Sequence, residues 1–282
     1  MKTKQKSVTI VVAVILLALL CTSVLPVLSF AESNDAAWGD VSISLNENFD
    51  LNFYADAVPD GAVVSFRDAD GNILADNITP EFKNGKAVYT YKGITPQFLE
   101  REIAAVMTAA ETVVAEKKAS VKAYCDALIA QKPNSKAAAV AGQILAYGKA
   151  AEWYVSEDGA KPEGLTDLAA SDVNLLYPGK ITAGTAIRAA QLILGHDIRV
   201  AFLLKDTTAT GNATVTVGNN TYNVAVEGGR ITVALKASEL FEKITASFDD
   251  CTVEYSLAQY VKNKLGGDNE KLSALVSEIY RY

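Results

Sequence analysis

Two stretches of the chain carry apolar residues at helical spacing. In residues 120–155 apolar side chains such as Tyr124 and Leu128 recur every three to four positions, a pattern that predicts amphipathic helices. Pro133 ends the first helix, because proline lacks an amide hydrogen and clashes with the preceding turn. Ser135 caps the second helix. Residues 256–282 show the same arrangement with a break at Gly266, so we predict two helical hairpins.

Most of the remaining chain alternates between apolar and polar residues, which predicts β-strands. Residues 41–45 and 49–53 form the first predicted pair, and Asn84-Gly85 is a hairpin turn into residues 87–91. The alanine-rich residues 103–107 and 112–115 also favour a hairpin, since the aligned residues 244–255 are β-branched and aromatic in alternation. Residues 98–101 are predicted to be a short helical turn.

Each half of the chain therefore shows strands followed by a helical hairpin. We predict an α+β fold of two tandem repeats, each an antiparallel strand meander (a sandwich-like sheet) followed by an αα-hairpin. The expected domains are a first α+β repeat at residues 32–155, a linker at 156–178 that is rich in Gly, Pro, Asp and Ser, and a second repeat at 179–282.

The first 31 residues have the pattern of a secretory signal peptide. Three lysines precede an apolar run, and Ser29 and Ala31 supply the small residues of a cleavage site. We expect cleavage after Ala31 and a secreted, extracellular protein. A membrane anchor is the alternative, and a lipoprotein at Cys21 is disfavoured because Leu20 stands where a small residue is needed.

Charge and cysteine content narrow the class of partner. The net charge is −7, and removal of three of the 26 basic residues with the leader leaves 23 against 33 acidic ones, a net charge of −10. An acidic surface repels phosphate backbones, so we expect no nucleic-acid partner. No second long apolar segment follows the leader in the sequence, so we expect no membrane contact after cleavage. Cys125 and Cys251 remain, and the sequence leaves open whether they form a disulfide.

Several strings resemble one known module. SVKAYCDALIA and ILAYGKAAEWY, together with SISLNENFDLNFYAD and YKGITPQFLEREIAA, resemble an uncharacterised repeat module of secreted proteins from gut Clostridia of the Ruminococcus and Lachnospiraceae type. In that module the hairpin follows the pattern SVxDYAxALL…LLNYGAAAQxYF. Ala146 stands here where the module has asparagine. The resemblance implies a surface or secreted accessory role in a Gram-positive bacterium and assigns no catalytic residue.

Histidine and cysteine, which often bind zinc or take part in nucleophilic catalysis, are sparse in this sequence. His196 is the single histidine and lies at a predicted turn, so a Ser-His-Asp system or a zinc site is disfavoured. Asp68, Asp70 and Asn72 have the 1, 3, 5 spacing of a calcium loop, but Thr79 replaces its final glutamate. We expect no catalytic residue, no metal and no cofactor.

Aromatic residues are the remaining candidates for ligand binding. Tyr89 and Tyr91 share one face of a predicted strand, and Trp153 and Tyr154 lie near the predicted linker. Flat side chains can stack on the apolar face of a sugar ring. We therefore predict a secreted, non-catalytic interaction or scaffold protein that binds an unknown extracellular protein, cell-surface partner or glycan. The alternative is a carbohydrate-binding protein that uses these aromatics, and a carboxylate-based glycosidase comes third.

Overall fold

The computed structural model describes residues 37–45, 48–157, 159–175, 180–194 and 198–281. The predicted leader and His196 lie outside these residues. The described part of the chain falls into two compact units that divide between Gly148 and Lys149. The predicted domain bounds, with a linker at residues 156–178, stay a prediction.

The first unit is built from eight described strands. They are β1 (Trp38–Leu45), β2 (Phe49–Ala55), β3 (Val63–Arg67), β4 (Ile73–Ala75), β5 (Glu81–Lys83), β6 (Lys86–Ile94), β7 (Ile103–Ala109) and β8 (Thr112–Ala119). Their antiparallel pairs form two four-stranded sheets, in the orders β1-β2-β6-β5 and β4-β3-β7-β8. A one-turn 3₁₀ helix at Pro96–Phe98 connects β6 to β7, close to the helical turn expected at residues 98–101.

The two sheets of the first unit pack face to face around an aromatic core. The Phe66 ring of β3 lies 5.6 Å from the Phe53 ring of β2 and 5.4 Å from the Tyr91 ring of β6, centroid to centroid. Phe53 and Phe66 are both fully buried. At one side of this sandwich β1 and β8 lie close together. The strands β4 and β5 therefore share the opposite side.

Two helices follow the first eight strands, as the helical spacing predicts. They are α1 (Val121–Gln131) and α2 (Lys136–Val155). Ser120 Oγ accepts the amide hydrogen of Ala123 at 3.0 Å, and Ser135 Oγ accepts that of Ala138 at 3.0 Å. Both caps satisfy amide groups that have no partner inside the helix.

The second unit gathers its strands into one sheet. They are β9 (Lys180–Ala183), β10 (Ile187–Leu194), β11 (Ile198–Leu204), β12 (Asn212–Val217), β13 (Asn220–Glu227), β14 (Arg230–Leu235), β15 (Ile244–Phe248) and β16 (Cys251–Tyr255). The strand order is β10-β11-β14-β13-β12-β15-β16-β9. The Ile187 amide of β10 donates to Cys251 Sγ of β16 at 3.3 Å, so the seven strands from β10 to β16 form a nearly closed barrel.

The last two helices end the second unit, at α3 (Leu257–Lys264) and α4 (Glu270–Arg281). Residues 159–175, part of the predicted linker, lie along α4 and are held by its side chains. Backbone amides of this segment donate to three of them: Thr166 to Glu278 Oε1 at 2.6 Å, Leu168 to Ser277 Oγ at 3.5 Å and Asn174 to the Tyr280 hydroxyl at 2.9 Å.

The predicted class, an α+β fold of two tandem repeats, is wrong. The described chain is mostly β: its first unit divides its strands between two four-stranded sheets, whereas its second unit has one eight-stranded sheet that nearly closes. The two units therefore do not repeat one strand meander with an αα-hairpin. Local alternation predicts where strands are, but strand order depends on pairings between distant segments, which a local pattern does not specify.

Candidate functional site

Of the two tyrosines predicted to form an aromatic platform, Tyr89 is part of the core and Tyr91 is half-buried beside it. Tyr89 is 2% exposed, and its ring lies 5.6 Å from that of Trp38 in an edge-on contact. Burial raises the pKa of its hydroxyl. Tyr91 is half-buried and packs edge-on against Phe66. The face that these residues share is the inner face of the sandwich, so the Tyr89 ring is closed to a ligand.

The other two predicted aromatics lie in the second unit. Trp153 is 6% exposed, its Nε1 donates to the Gly159 carbonyl at 3.0 Å, and the Lys271 ammonium lies 6.0 Å from its ring centroid. Tyr154 is half-buried. Trp153 therefore fixes the start of the segment that runs along α4, and its indole nitrogen is already bonded within the protein.

The acidic turn at Asp68 is held by its own hydrogen bonds. Asp68 Oδ1 accepts the amides of Asp70 at 3.0 Å and Asn72 at 2.9 Å, and Oδ2 accepts Asn72 Nδ2 at 3.0 Å. The bond from the Asn72 side chain, with the two amide bonds, lowers the pKa of Asp68. Both carboxylate oxygens thus serve the turn. In the described part of the chain, His, Cys, Asp and Glu residues form no group of three that could hold a metal ion.

Buried polar side chains on the first sheet are bonded to one another. Asn52 is 3% exposed. Its Nδ2 donates to Ser44 Oγ at 2.8 Å and to Ser42 Oγ at 3.3 Å, and its Oδ1 accepts from Thr90 Oγ1 at 2.8 Å. All three hydrogen bonds join Asn52 of β2 to a neighbouring strand, so this cluster fixes the register of β1, β2 and β6.

A buried carboxylate in the second unit is likewise used by the fold. Glu239 is 4% exposed. Its Oε1 accepts from Asn220 Nδ2 at 2.9 Å and from the Tyr222 hydroxyl at 2.8 Å, and its Oε2 accepts the Lys236 amide at 3.1 Å. These bonds tie the 3₁₀ helix Ala237–Glu239 to β13.

The two cysteines of the described chain are free and fully buried. The disulfide left open by the sequence is therefore not formed. Burial raises the pKa of the Cys125 thiol to about 12, which keeps it protonated and unreactive at neutral pH. Cys251 accepts the Ile187 amide where the barrel nearly closes.

Among the described residues, the large apolar side chain with the highest exposed fraction lies at the side of the sandwich that β4 and β5 share, which we name the open edge. Phe82 of β5 is 78% exposed, and Ile73 of β4 is 58% exposed. Phe82 lies opposite Ala87 of β6, and Ala87 lies opposite Ala55 of β2; both alanines are buried. Phe82 therefore occupies a core-facing position that the short strand β4 leaves uncovered.

The backbone of β5 also has free hydrogen-bonding groups. Lys83 and Lys86 flank the two-residue turn at Asn84 (φ 52°) and Gly85 (φ 80°). Such a turn makes its flanking residues a hydrogen-bonded pair, so the N–H and C=O of the next residue, Phe82, point away from β6. Among the described residues, no strand pairs with β5 on that side.

Charged residues flank Phe82 along the strand. Glu81 and Lys83 form an ion pair at 3.0 Å on the opposite face of β5, and both remain largely exposed. Hydrogen bonding to Lys83 lowers the pKa of Glu81. Strand β5 thus combines one exposed ring, one free backbone N–H and C=O, and one charge of each sign.

Sequence reasoning missed Phe82. The Asn84-Gly85 turn requires a strand before it as well as after it, and Glu-Phe-Lys immediately precedes that turn. This pattern predicts a strand at residues 81–83, although it cannot reveal that the ring is uncovered.

No helix within the described residues has both the length and the apolar character needed to cross a membrane.

Comparison of the chain with protein-family models, with curated proteins and with solved structures gave no match. The resemblance to the module of gut Clostridia stays an expectation from the sequence. The candidate site therefore rests on the geometry of the open edge.

Proposed function

We propose that this protein is a secreted, non-catalytic interaction or scaffold protein that binds a protein or cell-surface partner through the open edge. The observation that carries the proposal is Phe82, a core-facing ring of an edge strand that is 78% exposed. Covering such a ring gains about 1.5–3 kcal/mol. An edge strand with an exposed apolar residue is also a template for another chain.

Buried polar side chains that could take part in catalysis are already hydrogen-bonded within the protein, which supports an interaction role. The buried carboxylate Glu239 and the amide Asn52 bond to the protein's own groups. The signal-peptide pattern of residues 1–31 favours a partner outside the cell, and the acidic balance of the chain disfavours nucleic acid.

The carbohydrate alternative has less support. Tyr89 is buried against Trp38, and Trp153 is buried and bonded to Gly159. A sugar-binding platform needs ring faces that are open to solvent. Tyr91 and Tyr154 are each half-buried and lie in different units.

The test compares three immobilised forms of the protein: the unmodified chain, Phe82→Ser and Phe98→Ser. Phe98 is the matched control because it is an aromatic of the same unit, is 53% exposed and lies outside the strands. Each form is incubated with spent medium and with washed cells of the source organism, and retained proteins are quantified by mass spectrometry.

We expect a partner to be retained by the unmodified chain and by Phe98→Ser and to be lost with Phe82→Ser. Retention of the same proteins on all three forms would show that the open edge is not the binding surface. Mass analysis of the protein recovered from the medium tests secretion, and the expected N-terminal residue is Glu32.

A further inference from the structure

We propose that the partner at the open edge is a second copy of this chain, with β5 of one copy pairing antiparallel to β5 of the other about a two-fold axis at Phe82. This inference rests on the proposed function and names its partner. It would make the protein a homodimer in which each copy contributes its own β5 to the contact.

The backbone groups of β5 point in the direction that this pairing needs. Phe82 directs its N–H and C=O away from β6, as the turn at Asn84-Gly85 dictates. When two such strands meet antiparallel with Phe82 opposite Phe82, each N–H faces the other copy's C=O. The two hydrogen bonds of a closely spaced antiparallel pair then form without any change in the strand.

The charges of β5 are complementary in the same pairing. In the same pairing Glu81 lies opposite Lys83 of the second copy, and Lys83 lies opposite its Glu81. Side chains directly opposite in an antiparallel pair have Cβ atoms about 5 Å apart and attract when their charges differ. The present ion pair, Glu81 to Lys83 at 3.0 Å, would become an alternating square of four charges.

Other pairings between two copies of β5 are unfavourable. A parallel pairing in register puts Glu81 against Glu81 and Lys83 against Lys83. A shift of one residue places Phe82 on the charged face of the neighbour, because side chains alternate between faces. The antiparallel pairing at Phe82 alone keeps both rings on one face and the opposite charges on the other, and its two copies use the same patch.

The length of β5 sets the strength of the contact. The strand has three residues, and Pro80 before it has no amide hydrogen to continue the ladder. Short, charged edge strands limit uncontrolled association. We therefore expect a reversible dimer with a small interface and no further growth, because each copy has one β5 and the two-fold contact closes on itself.

The experiment is sedimentation equilibrium of the purified protein, in the form in which cells produce it. Protein concentrations run from about 1 μM to about 1 mM, the range in which a weak dimer assembles. The variants are Glu81→Lys, Lys83→Glu, the double exchange Glu81→Lys/Lys83→Glu, and Phe82→Ser, with Phe98→Ser as the matched control. Circular dichroism verifies that each variant is folded.

We expect each single charge variant, and Phe82→Ser, to raise the dimer dissociation constant by about tenfold or more, since like charges directly opposite repel and loss of the ring removes apolar contact. The double exchange should return it to within about threefold of the unmodified value, because opposite charges face each other again. Phe98→Ser should leave it unchanged.

A chain that is monomeric at every concentration would overturn the self-pairing. So would a dimer that Phe82→Ser leaves intact, or a double exchange that is as weak as the single variants. These results are distinct from failure of the proposed function: a monomer that still captures a different protein through Phe82 keeps the function and loses only the second copy as partner.

Discussion

Phe82 and Ala87 lie directly opposite each other in the pairing of β5 with β6, yet Phe82 is 78% exposed whereas Ala87 is 5% exposed. The two residues point to the same side of the sheet. The large apolar side chain is in solvent and the small one is in the core, because the facing sheet ends at β4, which has only three residues. An exposed aromatic at such a position contributes little to folding.

The first prediction separates the core ring from the exposed ring. Phe66→Ala should lower the free energy of unfolding by about 3–5 kcal/mol, since Phe66 is fully buried between the two sheets and its removal leaves a cavity. Phe82→Ala should change it by less than about 0.5 kcal/mol. Urea unfolding at a concentration where the protein is monomeric measures both, and equal losses would contradict the assignment of Phe82 to the surface.

The second prediction concerns the buried carboxylate of the second unit. Glu239→Gln replaces one acceptor oxygen with an NH₂ donor that faces either the Lys236 amide or the Asn220 and Tyr222 donors. We expect a loss of about 1.5–3 kcal/mol in the free energy of unfolding, the range for hydrogen bonds to a charged group. Glu227→Gln is the matched control, because Glu227 is exposed on β13. A loss no larger than that of the control would show that these bonds are dispensable.

The third prediction concerns thiol reactivity. Burial raises the pKa of Cys125 to about 12, and the thiolate is the reactive form. The folded protein at about pH 8 should therefore leave Cys125 unlabelled by iodoacetamide, whereas protein in denaturant should be labelled fully. Peptide mass spectrometry reads the labelling, and rapid modification of Cys125 in the folded protein would contradict its burial.

The fourth prediction is the acid dependence of the turn at Asp68. Hydrogen bonds from Asn72 and Asp70 hold the folded-state pKa of Asp68 below the ordinary value of 3.8. The carboxylate therefore stabilises the fold above that value, and this contribution is lost as the pH falls through the lower folded-state pKa.

Asp68→Asn should accordingly reduce stability at neutral pH, and the difference from the unmodified protein should shrink below about pH 4, where the protonated acid resembles the amide. Thermal unfolding across this range measures the effect. Asp70→Asn, in the same turn, is the control. A difference that persists undiminished in acid would mean that the charge of Asp68 does not act through these bonds.

Interactions between neighbouring residues were sufficient to predict some features of this fold. Ser120 and Ser135 cap their helices as predicted, because a hydroxyl close to free amides needs only neighbouring residues. Asn84 and Gly85 adopt positive φ in a hairpin turn for the same reason. The hairpin predicted at residues 103–107 and 112–115 is confirmed in β7 and β8.

The sequence by itself determined the helix caps at Ser120 and Ser135 and the turn at Asn84-Gly85, and that Tyr89 and Tyr91 share one strand face. Only the tertiary structure decided that this face is the core, that the two halves do not repeat one sheet, and that the ring of Phe82 is uncovered. The physical reason is range: caps and turns are satisfied within a few residues, whereas burial and strand order depend on which distant strands pair and where the facing sheet ends.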